Sequence, residues 1–416
     1  MSTSKPERSL SSACLETLFS GFIKLDTGTL EMGLPDGRTI TLASKKGGHP
    51  SVKLKFACWR IIWECLFNPH LHLGKGYMDG EILLEKGSLE DLFLLVHENL
   101  EVTRSHSWSS PIIKTIQLLK SFWRVNTLRN SRQNVAHHYD LSNAFFAMFL
   151  DQDMNYSCAY YKTAGQTLED AQQLKKQRLL NKLMVSPGHK ILDIGCGWGG
   201  LALSIGEIEN TEVHGITLSE NQHDYAKTRT QTKNKNNNVH FHLQDYRTVN
   251  EKFDRIISVG MLEHIGRRLL PTYFRKVAQS LNPHGVAVIH SIGYPTSTVK
   301  QIYSKQNTWI QKYIFPGGYL PHLSELVDVI SSTGLVVTDI EVLSLHYAET
   351  LKAWRKNIYK NQAEITSMYD DRFFRMWDFY LVSSEFLFRT GHGVVYQIQL
   401  TNDLVSLPRT RDYMSI

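Results

Sequence analysis

The C-terminal part of the chain contains seven short apolar stretches, most of them separated by segments with the spacing of amphipathic helices. Stretches of this length, rich in Val, Ile and Leu, are typical of strands that are buried on both faces of a sheet. Because strands that alternate with helices build βαβ units, the pattern predicts an α/β fold with a doubly wound, mostly parallel, seven-stranded sheet. The predicted strands are residues 189–195, 211–219, 239–246, 253–260, 285–293, 334–343 and 393–401.

The first hundred residues follow a different pattern. Alternating residues around a Pro-Asp-Gly turn predict a hairpin over residues 28–42. The apolar segment 56–67, which two charged side chains interrupt, predicts a buried helix, and Ser88 is expected to cap a helix that begins at Leu89. We therefore predict a smaller α+β domain over residues 1–100.

Residues 101–135 form a third segment, which is basic. Between residues 102 and 139 the sequence has six Lys and Arg side chains and no Asp or Glu, and apolar residues lie between the cations at helical spacing. This pattern is typical of an amphipathic helix that binds an anionic membrane surface. A linker helix that packs on a neighbouring domain and leaves its cations in solvent explains the pattern equally well. The cations are Arg104, Lys114, Lys120, Arg124, Arg129 and Arg132.

Composition narrows the class of protein. A chain of 416 residues exceeds the size of a single hydrophobic core, so two domains are expected. A net charge of +6 does not indicate nucleic-acid binding. Five cysteines without metal-ligand spacing predict a reduced, cytoplasmic protein with no metal site. The sequence predicts no membrane span, since it has no run of about 18 apolar residues, and its first residues lack the apolar core of a signal peptide.

The clearest chemical signal is the stretch LDIGCGWGG, residues 192–200, which ends a predicted strand and opens a helix. Glycines at such a turn let the backbone approach a ligand closely. The G-x-G-x-x-G spacing also fits a dinucleotide site. Asp193, two residues before the first glycine, instead gives the D-x-G-x-G-x-G arrangement typical of S-adenosylmethionine (SAM) methyltransferases. The sequence therefore favours SAM over NAD.

Nine motifs, in order along the chain, resemble those of the cyclopropane-fatty-acyl-phospholipid synthases and the related mycolic-acid cyclopropane synthases. The resemblance implies a class I SAM-methyltransferase (Rossmann-like) catalytic domain over residues 136–416, with an N-terminal domain that associates with the lipid substrate. The motifs are YMDG (77–80), AHHYDLSNAFF (136–146), MNYSCAYY (154–161), LDIGCGWGG (192–200), ITLSENQ (216–222), MLEHIG (261–266), IHSIG (289–293), KYIFPGGYLP (312–321) and HYAETLKAW (346–354).

The resemblance implies that a methylene group passes from SAM to the cis double bond of an unsaturated phospholipid acyl chain. The alternative is a fatty-acid C-methyltransferase that makes methyl-branched or methylene-bearing lipids. Such an enzyme is expected to work as a peripheral protein at the inner face of the membrane, and a homodimer is compatible with the resemblance. Nucleic acid is not an expected partner.

The resemblance also implies a bound bicarbonate as general base. The residues that match its cage are Cys158, Glu263, His290, Ile292 through its backbone, and Tyr347. Taken singly, each has an ordinary structural explanation, such as a buried thiol or a core histidine. Only the matched set points to catalysis.

For SAM, the resemblance implies contacts from three segments of the chain and from the residues that precede the proposed cage cysteine. Where many methyltransferases have an acidic residue after the second strand, this sequence has TLSENQ, so hydroxyl and amide groups are expected to replace it. The expected SAM-binding residues are Tyr156, Ser157, Asp193, Gly195, Gly197, Gly199, Gly200, Thr217, Leu218, Ser219, Gln222, Gln244 and Asp245.

Two positions depart from the family pattern. Ser384 stands where the family usually has a cysteine, which removes any role that depends on a thiol there. Ser142 stands where glycine is customary, and a changed turn is expected at that point. Neither position belongs to the expected bicarbonate cage.

The basic segment generates a prediction about membrane binding. Reversing the charges of Lys120 and Arg124 should weaken binding to anionic vesicles by about 1 kcal/mol per charge, because each cation near the surface contributes roughly that amount. Vesicle sedimentation measures this change, with neutral vesicles as the control. Unchanged sedimentation with anionic vesicles would favour the packed linker helix.

Overall fold

The computed structural model describes residues 16–99 except 18, 22 and 45–47, residues 141–296 except 235–236, and residues 308–415. The predicted basic segment 101–135 lies outside the described residues. The chain folds as two compact units. The first contains the described residues up to 99 together with 308–309 and 366–386, and the second contains the remainder. By packing, residues 366–386 belong to the first unit, whereas the sequence division assigns them to the catalytic domain.

The described secondary structure alternates strands and helices over most of the chain. The strands are β1 Thr29–Gly33, β2 Thr39–Ala43, β3 Ser51–Phe56, β4 Ile82–Lys86, β5 Lys190–Ile194, β6 Glu212–Thr217, β7 Val239–Leu243, β8 Phe253–Val259, β9 Leu281–Gly293, β10 Val336–Val342 and β11 Val394–Thr401. The helices are α1 Trp59–Phe67, α2 Pro69–Met78, α3 Leu89–Glu98, α4 Asn143–Ala147, α5 Leu168–Leu183, α6 Gly200–Gly206, α7 Glu220–Lys233, α8 Leu270–Ser280, α9 Trp309–Tyr313, α10 Leu323–Ser331, α11 Ser344–Lys360, α12 Gln362–Met368 and α13 Asp371–Arg389.

The first unit has a four-stranded sheet in the order β2-β1-β3-β4. The predicted hairpin is confirmed, because β1 and β2 pair antiparallel. The predicted cap is also confirmed: Ser88 accepts a hydrogen bond from Asp91 N, and Ser88 N donates to the Asp91 carboxylate. The predicted helix in segment 56–67 is present as α1, but its burial was wrong. Trp63 and Phe67 on its outer side are exposed, because only one face of the helix packs on the unit.

Residues of the C-terminal helix α13 complete the first unit. The Tyr77 hydroxyl donates to Asp378 at 3.0 Å, and Phe93 packs against Phe379. Gly74 faces the side chains of Phe379 and Trp309 so closely that an added Cβ would lie 2.6 Å from the Phe379 ring. The first unit is therefore built from segments that are distant in sequence.

The second unit contains a seven-stranded sheet in the order β10-β11-β9-β8-β5-β6-β7. Strands β5 to β9 pair in parallel, and β11 is antiparallel to both β9 and β10. All seven predicted strands are confirmed, and the α/β prediction with them. Successive residues Ile256 and Ile257 of β8 enter separate hydrophobic clusters on the two faces of the sheet.

The strand order reverses between β5 and β8. From β5 the chain proceeds through β6 and β7 toward one edge, and from β8 through β9 toward the other. In open α/β sheets, ligands bind beyond the carboxyl ends of the strands at such a switch point. The fold therefore predicts that a ligand site is formed by the residues that follow β5, β6, β8 and β9. Among the described residues, no helix combines the length and the apolar character needed to cross a membrane.

The glycine turn generates a prediction about stability. Gly199 and Gly188 both have positive φ, at 83° and 84°, but a Cβ on Gly199 would lie 2.5 Å from the Phe241 ring, whereas Gly188 has nothing within 4 Å. Gly188→Ala should cost about 1–2 kcal/mol, the conformational penalty alone. Gly199→Ala should cost roughly 1–3 kcal/mol more because it also crowds the core.

Chemical unfolding without SAM measures both variants against the wild type. Equal losses in the two alanine variants would contradict the steric explanation.

Candidate active site

Glu263 lies at the centre of the carboxyl edge of the sheet. It belongs to a 3-10 turn, Leu262–His264, that follows β8, and its Oε1 accepts a hydrogen bond of 2.6 Å from the backbone N of Ile292 in β9. Burial raises the pKa of Glu263 to about 7, and the bond from Ile292 opposes the rise. Its Oε2 is buried without a hydrogen-bond partner among the described residues. A carboxylate oxygen in this position can accept a hydrogen bond from a ligand.

His290 lies two residues before Ile292 on the same strand. Its Nδ1 is 3.2 Å from the side-chain nitrogen of Gln397, which is its register partner on β11. Because the amide nitrogen donates to Nδ1, the ring proton resides on Nε2. Burial lowers the pKa of His290 to about 3, with further lowering by the charges of Lys175 and Lys182. His290 is therefore a neutral hydrogen-bond donor.

The Cys158 thiol and the backbone N–H of Tyr347 both approach the backbone carbonyl of Leu343. The Cys158 thiol is 3.9 Å from this oxygen, which also accepts the backbone N–H of Tyr347. Both side chains are buried. Burial raises the pKa of Cys158, so the group is a protonated thiol and not a nucleophile. Thr350, one turn after Tyr347 on α11, accepts the backbone N–H of Ala159 at 3.0 Å and holds the cysteine segment against this helix.

The structure thus forms two pairs from the five predicted cage residues. Glu263 and Ile292 are hydrogen-bonded, with His290 on the same strand as Ile292, and Cys158 shares the Leu343 carbonyl with the backbone N–H of Tyr347. The positive charge of Lys175 lowers the pKa values of both Cys158 and His290. The backbone N–H of Ile292 is already used by Glu263, and Ile292 therefore acts here by orienting the carboxylate.

Aromatic rings surround Tyr156. Its ring centroid lies 5.1 Å from that of Trp354, 5.4 Å from Phe146 and 6.1 Å from Phe149, while Trp198 of the glycine turn lies 4.8 Å from Phe146. Aromatic faces attract cations, including a sulfonium or a developing carbocation. Phe146 and Trp354 occur in motifs of the sequence, yet the sequence analysis assigned them no role. Phe149 lies just beyond one such motif.

The glycine turn has the backbone geometry that its sequence predicts. Gly195, Gly197 and Gly199 have positive φ, and α6 begins at Gly200. A Cβ on Gly200 would collide with the backbone of Asp153, so this glycine allows a neighbouring segment to pack on the turn. These glycines stay predicted cofactor contacts, and their conformations agree with that function.

Asp193 precedes this turn and is buried. Burial raises the pKa of Asp193 to about 7, and the charge of Lys175 opposes the rise. Its Oδ2 has no hydrogen-bond partner in the part of the chain that the structure describes. A buried carboxylate oxygen in this state fits a donor group of a ligand.

The remaining predicted cofactor residues follow β6 and β7. Thr217 donates to the Gln222 side chain at 3.1 Å and accepts from Gln244 N through its backbone at 3.0 Å. Ser219 caps α7 by accepting from Gln222 N. Leu218 is 67% exposed. Asp245 is paired with Arg247, which holds the pKa of this carboxyl below its usual range.

The segment before Tyr156 is fixed by ion pairs through Asp153. Lys176 of α5 and Lys233 of α7 lie 2.6 and 3.1 Å from this carboxylate, and Arg229 contacts both Asp153 and the backbone of Trp198. Burial by itself would raise the pKa of Asp153, but the bond from Lys176 and the other cations hold it well below the usual range. The sequence analysis did not identify these ion pairs.

The burial of Glu263 generates a prediction. Its pKa in the fold, about 7, exceeds the usual 4.5, so the wild type loses stability as pH rises from about 4.5 to 7. The loss is roughly 1.4 kcal/mol for each pH unit in this window. The Glu263→Gln variant has no ionisable group at this position, so its stability should not fall in this pH window for that reason. Its melting temperature, relative to that of the wild type, should therefore increase from pH 5 to pH 8.

Thermal unfolding without SAM tests this, with Glu325→Gln, a carboxylate outside the two pairs, as a control for substitution. A difference between Glu263→Gln and wild type that stays constant with pH would contradict the assignment.

The chain matches the family described as mycolic acid cyclopropane synthetase over residues 126–398. A probable fatty acid methyltransferase of Pseudomonas putida is 31% identical over 92% of this chain and 96% of that protein. The cyclopropane-fatty-acyl-phospholipid synthase of Escherichia coli K12 is 36% identical over 79% of this chain and 82% of that protein. The crystal structure of mycolic acid cyclopropane synthase CmaA1 complexed with SAH and CTAB has a TM-score of 0.60 and 31% identity, and it covers 64% of this chain and 97% of that one. The resemblance and the class I fold are thereby confirmed, and the chain belongs to the mycolic acid cyclopropane synthetase family of SAM-dependent methyltransferases.

Proposed function

We propose that this enzyme transfers a methylene group from SAM to the cis double bond of unsaturated phospholipid acyl chains and so makes cyclopropane fatty acids. The observation that carries the proposal is the buried Glu263 carboxyl, held by Ile292 N next to the switch point of the sheet, with the neutral His290 on the same strand as Ile292. Support for a phospholipid substrate comes from the E. coli relative, which is named for that reaction.

The proposed reaction has two steps. In the first, the alkene attacks the sulfonium methyl, so a C–C bond forms while the C–S bond breaks and a carbocation remains on the acyl chain. In the second, a proton leaves the transferred methyl group and its electrons close the ring. Water would quench the cation, so the site must exclude it. The rings of Tyr156, Phe146 and Trp354 provide apolar walls whose faces stabilise positive charge.

The departing proton needs a base, which we propose to be a bound bicarbonate. The unpartnered Oε2 of Glu263 fits the bicarbonate hydroxyl as an acceptor, and His290 Nε2 and the Tyr347 hydroxyl fit its oxygens as donors. Bicarbonate would supply a base that is not fixed to the chain. The thiol of Cys158, buried and protonated, would contribute packing and a weak donor.

A second candidate function starts from the same cation and differs in how the cation is relieved. A hydride shifts from the carbon that bears the new methyl group to the neighbouring cationic carbon, and loss of a methyl proton then leaves a methylene branch on the acyl chain. A separate reductase with a hydride donor would convert this methylene-bearing lipid to a methyl-branched one. The P. putida relative, named a probable fatty acid methyltransferase, favours this candidate because the match extends over 92% of the chain. We propose for either reaction that the enzyme acts as a peripheral protein on an anionic membrane, through the cations of segment 101–135.

Lipid analysis tests the proposed product. Expression in a host that makes unsaturated but no cyclopropane lipids should yield acyl chains that are heavier by one methylene group, detected by gas chromatography and mass spectrometry. A ring survives mild hydrogenation, whereas a methylene product takes up hydrogen. Expression of Glu263→Gln should lower the product by orders of magnitude, because the proton-removing step loses its buried carboxylate.

The affinity of Glu263→Gln for SAM should stay near that of the wild type, since Glu263 is assigned to proton removal. Product that takes up hydrogen would favour the second candidate. The absence of any heavier acyl chain, or full activity of Glu263→Gln, would overturn the proposed function.

A further inference from the structure

Lys175 is a fully buried cation beside the active site. It lies on α5 with 1% of its surface exposed, and its Nζ donates to Asn155 Oδ1 at 3.1 Å and to Ser157 Oγ at 3.0 Å. Within the described ranges, no carboxylate lies within 4.0 Å of this nitrogen. Burying an ammonium group without a directly paired carboxylate is costly. A fold that retains such a group has a use for it.

The contacts of Lys175 fix the segment that carries Tyr156. Asn155, which accepts from Lys175, donates its own side-chain amide to Asp151 at 2.7 Å. Gln172, one turn earlier on the same face of α5, donates to the backbone carbonyls of Asn155 and Ser157. The backbone on both sides of Tyr156 is therefore tied to α5 by two buried polar side chains.

The charge of Lys175 also acts on the strand that leads to the glycine turn. Its interaction with Asp193 opposes the effect of burial on that carboxyl. Lys175 itself is attracted more strongly by Asp151 than by Asp193, and the neighbouring Lys176 repels it. Asp193 Oδ2 is buried and has no hydrogen-bond partner among the described residues. Lys175 therefore binds the segment that precedes Cys158, and its charge favours the ionised form of Asp193 at the start of the turn.

We infer that Lys175 is the positioning residue of the SAM site, which ties residues 155–157 to α5 and provides a positive charge that favours the ionised form of Asp193 for donor groups of SAM. This inference concerns the SAM site and applies to either lipid product. Its failure would leave the proposed function intact, because the lipid products are measured separately.

The electrostatic part has a distinctive consequence. Burial raises the pKa of Asp193 to about 7 even with Lys175 present, and burial lowers the pKa of Lys175 itself to about 8. Without the lysine charge, Asp193 should hold its proton to higher pH, so that a smaller fraction of it is ionised near neutral pH than in the wild type. Affinity for SAM should then be lost at neutral pH and regained in alkaline solution. A purely mechanical role of Lys175 would not give this pH dependence.

The test measures SAM dissociation constants by calorimetry from about pH 6 to about pH 9. Lys175→Gln keeps a donor for Ser157 but removes the charge, and Lys175→Met removes both. Lys175→Gln should weaken SAM binding severalfold at pH 7, because a smaller fraction of Asp193 is ionised there. Most of this loss should disappear at pH 9. Lys175→Met should show the same pH-dependent loss and an additional loss that persists at all pH values.

Lys182→Met is the matched control. Lys182 is also buried on α5, but it pairs directly with Glu341 at 2.5 Å and does not contact residues 155–157. Its variant should alter the melting temperature without moving the pH profile of SAM binding. In an Asp193→Asn background, Lys175→Gln should cause no further pH-dependent loss, because the carboxylate that it supports is gone.

Wild-type affinity in Lys175→Gln at every pH would overturn the inference. A loss of SAM affinity in Lys175→Gln that is the same at every pH, and the same in the Asp193→Asn background, would also overturn it. That result would mean that Lys175 acts only as a mechanical support. If Lys175→Met does not fold, Lys175→Gln and the double variant decide the matter alone.

Discussion

The hydrogen bond from Ile292 N to Glu263 Oε1 is the interaction on which the site depends. It joins the turn after β8 to the end of β9, the two strands that lie side by side next to the switch point. The bond fixes a carboxylate in a place where burial opposes its ionisation. Proteins retain groups of this kind where chemistry needs a carboxyl whose protonation changes near neutral pH. Burial of this carboxyl therefore costs stability at the position to which we assign removal of the proton.

Much of the second unit could be predicted because its strands are buried on both faces and its glycine turn is local. Seven apolar runs identify seven strands, and Gly195, Gly197 and Gly199 adopt the positive φ that only glycine adopts readily. Ser142, which stands where the family customarily has glycine, caps α4 with φ of −65°, a backbone conformation that any residue adopts. Local backbone constraints of this kind can be predicted from the sequence alone.

Burial that depends on partners distant in the sequence could not be predicted. Helix α5 contains Gln172, Lys175, Lys176 and Lys182 at the spacing of one helical face, and a polar face normally points to solvent. Here that face is buried, because the segment 151–157 and the strand residue Glu341 supply its partners. Only the tertiary structure reveals those partners. In the same way, the sequence did not reveal that residues 366–386 pack with the N-terminal unit, where Ser384 is buried.

The ion pairs of Asp153 join three segments of the chain through one carboxylate. Lys176, Arg229 and Lys233 hold one carboxylate from two helices, and its lowered pKa means that mild acidity does not release it. Lys176 and Arg229 are themselves largely buried, so loss of the Asp153 carboxylate would leave two cations without their shared counter-ion. A neutral substitution at this one position should therefore loosen α5, α7 and the segment before Tyr156 together.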